Sequence, residues 1–98
     1  MVELSEMKEW LRIYEDDEDL LINSLIQSSA SIIQSATGIS KEYIIECKNY
    51  RIKDLYNMVQ RILIADLYNE RDVENRALTA LYIQLETAYI GEKNNEIR

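Results

Sequence analysis

Residues 54–72, DLYNMVQRILIADLYNERD, narrow the choice of fold more than any other stretch of the chain. At the helical step of about 100° per residue, Leu55, Val59, Ile62, Leu63 and Leu67 share one side. Met58, Ala65 and Tyr56 widen that side beyond half the circumference. A surface helix shows a narrower apolar stripe, so this one requires neighbours on several sides. Asp66 projects into the middle of the arc, between the rows of Leu55 and Val59. A buried carboxylate needs hydrogen-bond or cationic partners, or it is driven towards its neutral form. Asp66 is therefore expected to be a structural, buried polar residue satisfied by whatever surrounds the helix.

Those neighbours should be helices too. The chain has no proline and only two glycines, Gly38 and Gly91, too few for the tight turns of an all-β protein. With 98 residues, 47% hydrophobic and 30% charged, it has the balance of one globular domain. The expected fold is all-α: a small helical bundle with a short N-terminal helix, two long central helices and a C-terminal helix. Residues 1–91 are expected to form that single domain, with 92–98 as a mobile tail beyond Gly91.

Composition also removes whole classes of function. Histidine is absent, and with it the commonest general base, the usual zinc ligand and the middle member of Ser-His or Cys-His systems. No glycine-rich phosphate loop exists. Cys47 is the only cysteine, so an intrachain disulfide is impossible and a reducing compartment is the natural setting. Nothing beside it supplies a base, and it reads as a small apolar residue. No catalytic residue, metal ligand or cofactor is expected. The formal net charge of −7 has the wrong sign for a free-standing nucleic-acid binder or for an acidic membrane surface. The first 19 residues carry eight acids and two bases, residues 20–40 no charge, and residues 41–53 four bases and two acids. That polarity suits head-to-tail pairing of copies.

In chain order, residues 4–13 suggest a two-turn helix capped by Ser5, with Met7, Trp10 and Leu11 along its docking edge and Trp10 as the largest packing anchor. YEDDED, residues 14–19, places Asp16 or Asp17 as the N-cap of a second helix over residues 17–37. A calcium loop is excluded there: the sixth loop position needs glycine and the twelfth an acid, and neither is present. Leu21, Leu25, Ile32 and Ala36 line one face of the second helix, with Ile22, Ile26 and Ile33 beside them, and Gly38 ends it. Its opposite face, Asn23, Ser24, Gln27, Ser28, Ser31, Gln34 and Ser35, has no charge over five turns. Either water or another copy of the protein covers it, which makes Ser24, Ser28, Ser31 and Ser35 candidate subunit-interface residues.

Residues 39–53 allow two readings, a short helix capped by Ser40 and broken near Asn49, or one helix continuous with the central one. After a polar link over residues 72–75, a last helix spans about 74–90. Ala77, Leu78, Leu81, Leu85, Ala88, Tyr89 and Tyr82 form its core face. Ile83 and Ile90, one heptad apart, make an outward ridge and complete the candidate interface.

Residues 4–38 resemble the head–tail connector family of tailed bacteriophages. The resemblance rests on Leu11-Arg12-Ile13, then Asp16-Asp17-Glu18-Asp19, then Ala36-Thr37-Gly38, and on ILIADLYNERD over residues 62–72. It implies a non-enzymatic adaptor, a structural subunit of a phage or prophage connector ring. About twelve copies would dock under the portal protein, complete the DNA-filled head and meet the next head-completion or tail-completion protein. Isolated subunits could be monomeric or assembled differently. DNA would be a partner only in passing through the channel, membranes would not be involved, and the protein would sit at the head–tail junction after assembly in the host cytoplasm.

Two other classes compete. A small helical interaction module, a regulatory subunit or antitoxin-like protein, would lay an apolar groove on one partner. A carboxylate enzyme would need Asp66 and Glu70 lining a metal-binding cleft. The structural reading of Asp66 makes a direct prediction: Asp66→Leu disturbs helix docking or assembly. A variant that melts and assembles like the parent would remove that role.

Overall fold

Asn49 breaks what would otherwise run on as one helix. Its side-chain Oδ1 accepts hydrogen bonds from the Arg51 N–H at 3.0 Å and the Ile52 N–H at 3.3 Å, satisfying donors that a helix N-terminus leaves open. Cys47, just before it, is extended, so the preceding turn ends there. The computed structural model describes residues 1–69 and 76–97. It contains α1 (Leu4–Leu11), α2 (Asp19–Thr37), α3 (Lys41–Glu46), α4 (Tyr50–Tyr68) and α5 (Arg76–Ile97), with no strand among the described residues. The fold is a small all-α bundle. Of the two readings of residues 39–53, the capped short helix is the one formed: Ser40 Oγ accepts from the Tyr43 N–H at 3.1 Å.

The central helix packs chiefly on α5 and α2, while α1 lies over α2 and α4, and α3 rests on α4. α2 and α4 run antiparallel, so Glu18 beside the start of α2 meets Tyr68 at the end of α4. The larger core gathers Ile33, Ile39, Ile44, Ile52, Tyr56, Val59, Leu63, Leu78 and Leu85. A smaller one, Val2, Met7, Ile22, Ile26 and Ile64, holds α1 against the α2–α4 pair. Each such buried side chain contributes on the order of 1.5–3 kcal/mol of apolar burial.

Several helix faces differ from the periodicity-based expectation. On α4 the buried row runs through Ile52, Tyr56, Val59, Gln60, Leu63, Ile64 and Asp66, while Leu55, Ile62 and Leu67 are half-buried and Met58 is exposed. On α2 the row is Ile22, Ile26, Ser29, Ala30, Ile33 and Thr37, and Leu21 and Ala36 face outwards. One buried amide connects the two shifts. Gln60 Nε2 donates to the Ile26 carbonyl at 3.2 Å and to Ser29 Oγ at 3.1 Å, and its Oε1 accepts from the Val2 N–H at 3.0 Å. With its hydroxyl so engaged, Ser29 can be buried, and α2 turns its serine inwards and Leu21 outwards. The same contact buries Val2 and sets where the chain enters α1. Glu3 therefore stands at the N-cap position with no side-chain cap, and Ser5 lies inside the helix. Met7, fully buried, docks α1; Trp10 is 55% exposed and is not the anchor its size suggested.

At the other end of the chain, Gly91 does not stop α5, which continues to Ile97. A mid-helix glycine costs about 1 kcal/mol against alanine, which neighbouring contacts can offset. Asn49 Nδ2 donates to Glu92 Oε2 at 3.0 Å, and the Lys93 ammonium sits 5.4 and 5.6 Å from the Tyr43 and Tyr89 ring centres. These contacts tie the turn beyond Gly91 to α3 and to the start of α4. The expected link over residues 72–75 and the side chain of Ala77 lie outside the described residues.

Two buried polar side chains one helical turn apart on α4 should respond oppositely to apolar replacement. Gln60→Leu strands the Val2 N–H and is expected to cost about 1–3 kcal/mol, read as a lower urea midpoint. Tyr56 is fully buried and its hydroxyl has no hydrogen-bond partner among the described residues. Tyr56→Phe should therefore leave stability unchanged or raise it by up to about 1 kcal/mol. Burial, and then the nearby Glu42 charge, push the Tyr56 phenol up from 10.0 to about 12. A folded-state value above the unfolded one means stability falls as pH rises from 10 to about 12. Tyr56→Phe should remove that part of the alkaline loss in melts run across this range.

Candidate assembly surfaces

The turn between α1 and α2 is built by backbone geometry and then pinned from both sides. Arg12 adopts a left-handed conformation, φ 59°, at the end of α1. Its N–H donates to the Glu9 carbonyl at 3.1 Å, and the Ile13 N–H to the Lys8 carbonyl at 2.8 Å, closing the helix despite about 1 kcal/mol of strain for a non-glycine residue. Lys8 Nζ then reaches across to Asp16 Oδ1 at 2.7 Å and Asp19 Oδ1 at 2.9 Å. Hydrogen bonds to Asp16 and then Asp19 raise the Lys8 ammonium above its ordinary value, and the same lysine lowers Asp16. On the far side, the Tyr68 hydroxyl donates to Glu18 Oε2, and that bond chiefly raises its phenol.

Asp16 and Asp17 were expected to cap α2. Glu18 occupies the N-cap position instead, with no side-chain cap bond, because Lys8 draws Asp16 towards α1. The result is a fixed acidic corner with Tyr14, Glu15, Asp16, Asp17 and Leu20 all exposed. Nearby, Arg61 of α4 lays its guanidinium over the Trp10 ring at 5.4 Å, beside Glu6, Glu9 and Arg12. Sequence reasoning missed this pairing because residues far apart on two helices carry no spacing signal.

At the opposite end of α2, Thr37 is buried, with Oγ1 donating to the Ile33 carbonyl at 2.8 Å and accepting from the Ile39 N–H at 3.2 Å. Gly38 follows at φ 82°, and its N–H donates to the Gln34 carbonyl at 2.8 Å. An L side chain there would be strained although the space around it is open. This Thr-Gly pair turns the chain sharply enough for Ile39 to enter the core.

The remaining candidates separate into an interior and two outward faces. Asp66 is buried, 8% exposed, and engaged in interactions. Ser24, Ser28, Ser31 and Ser35 all lie exposed on the outer side of α2. Ile83 and Ile90 stand out from α5, flanking Glu86, while Leu78 and Leu85 face the core. Within one chain the serine row and the isoleucine pair do not meet. No three His, Cys, Asp or Glu side chains converge among the described residues, and Glu70, the suggested partner of Asp66 in a catalytic pair, lies outside them. Cys47 is half-buried, its Sγ accepting from the Asn49 N–H at 3.4 Å. No described helix is long and apolar enough to cross a membrane.

The described residues therefore show two exposed faces, the serine row of α2 and the isoleucine pair of α5, and no cluster of metal-ligating side chains. The family described as phage gp6-like head–tail connector protein matches residues 1–88. Searches of curated proteins and of solved structures returned no match. The family match takes in the left-handed Arg12 turn, the acidic corner, the Thr37-Gly38 stop and most of α5. On that match the chain belongs to the phage gp6-like head–tail connector family and is a structural component of phage particles that works through contacts with other head and tail proteins.

Proposed function

We propose that the chain is one subunit of a connector ring that docks under the portal, completes the DNA-filled head and joins it to the tail. The observation carrying this reading is the outer face of α2, five helical turns without a charged residue and exposed in the single chain. A helix face left to water ordinarily carries charges, whereas small uncharged side chains permit close backbone approach when a neighbour covers them. The exposed isoleucines of α5 supply a second, bulkier face. Residues 1–91 act in this reading as one assembly unit, with Ser24, Ser28, Ser31, Ser35, Ile83 and Ile90 at subunit contacts.

The charge distribution supports a passive relation to DNA. A net charge of −7 gives phosphates nothing to bind to strongly, and acids lining a channel would let DNA pass without sticking. In this reading the protein carries out no reaction; it positions partners.

The test is particle imaging of the purified protein, alone and mixed with portal complexes. Rings seated on the portal are the expected result, whether or not the isolated chain is monomeric. A chain that stays off the portal and forms a closed two-fold dimer would overturn the proposal, since a two-fold contact consumes the faces a ring needs.

A further inference from the structure

The outward faces of α2 and α5 carry side chains of opposite size. On α2, Leu20 is 82% exposed at the N-terminal end, with Leu21 beside it. Beyond them Ser24, Ser28, Ser31 and Ser35 run along the helix, and Ser31, Ile32, Ser35 and Ala36 line a shallow depression. Ser24 and Ser31 are one heptad apart, as are Ser28 and Ser35. On α5, Ile83 and Ile90, 60% and 50% exposed, are also one heptad apart, with Thr87 between them. A heptad advances about 10.5 Å along a helix, so ridge and row share one repeat. Each face lies roughly opposite its helix's buried row, and both buried rows point into one core that holds Ile33, Leu78 and Leu85. The two faces cannot reach each other within a chain.

We infer that the α2 face of one copy receives the α5 ridge of the next, with Ile83 and Ile90 seated along the serine row and Leu20 and Leu21 closing its end. This rests on the ring reading and names the contact within it. A second copy is the occupant because the α2 face is uncharged, and burying an unpaired charge against it would be costly. The acidic corner and the Trp10–Arg61 groove are both charged, whereas the line Ile83–Thr87–Ile90 is not; Glu86, exposed beside that line, stays at the rim of the contact in water. The line is also bulky where α2 is small. Because the two faces differ, the contact is heterologous: every added copy leaves one face of each kind open until a ring closes.

The test uses the full chain assembled on portal complexes, with Cys47→Ser to remove the native thiol. Ser28→Cys and Ile83→Cys are combined in one chain and treated with a short bis-maleimide. A ladder of covalent multimers extending beyond the dimer is expected, with each single-cysteine chain at least roughly tenfold weaker in multimer yield. Rings visible by imaging without such a ladder, or dimers of equal yield from either single-cysteine chain, would overturn the contact. In parallel, the pair Ile83→Glu and Ile90→Glu, both at exposed positions, should keep the parent circular dichroism and melting temperature while losing ring formation. Normal rings from that folded variant would also overturn it. If the parent chain itself forms no ring on the portal, the ring reading fails and the contact falls with it.

Discussion

The amide of Gln60 is the interaction on which the arrangement of helices depends. Apolar burial supplies most of the attraction between α1, α2 and α4, but it is non-directional and tolerates rotation of a helix about its axis. An amide buried at 0% exposure does not tolerate it. Its two ends must meet the Ile26 carbonyl, Ser29 Oγ and the Val2 N–H together, and only one rotation of α2 and one entry path into α1 allow that. Losing any of these bonds inside the core would leave a polar group stranded, at a cost comparable to burying a whole aliphatic side chain. The apolar core makes the bundle stable, and Gln60 makes its geometry unique.

That choice of rotation determines what the molecule shows to the outside. With Ser29 turned inwards, Leu20, Leu21 and the row from Ser24 to Ser35 turn outwards together. A different docking angle would bury Leu21 and break up the uncharged face. The acidic corner is held by a separate device, Lys8 on one side and Tyr68 on the other, with the left-handed Arg12 bending the chain between them. Polar contacts inside and at one end thus fix which residues of α2 and of the acidic corner are exposed, and the central helix bears on both through Gln60 and Tyr68.

Asp66, the residue that looked most anomalous in the sequence, is buried and engaged in interactions. Tyr56, which in the sequence only widens the apolar arc of the central helix, is the less comfortable group. It fills core volume with a hydroxyl that has no partner among the described residues, and burial holds its phenol neutral far into the alkaline range. Buried area and polar satisfaction are separate requirements, and Tyr56 meets the first without the second.

The chain's own residues determined the helical class, the approximate course of α1, α2 and the central helix, the stop at Gly38, the outward direction of Ile83 and Ile90 and the lack of histidine chemistry. These follow from local periodicity, capping chemistry and composition, which act within a few residues along the chain. They also carried the family resemblance, because its motifs are turns and helix ends. Only the tertiary structure decided that Gln60 and Ser29 are interior, that Met7 rather than Trp10 docks α1, that Lys8 draws Asp16 away from capping, and that α5 runs past Gly91. Each of these depends on a partner outside the residue's own helix, Ile26 for Gln60, Arg61 for Trp10, Asp16 for Lys8, Asn49 for Glu92. A polar side chain reads as exposed in sequence until the group that satisfies it is brought alongside, and that happens only when the helices pack.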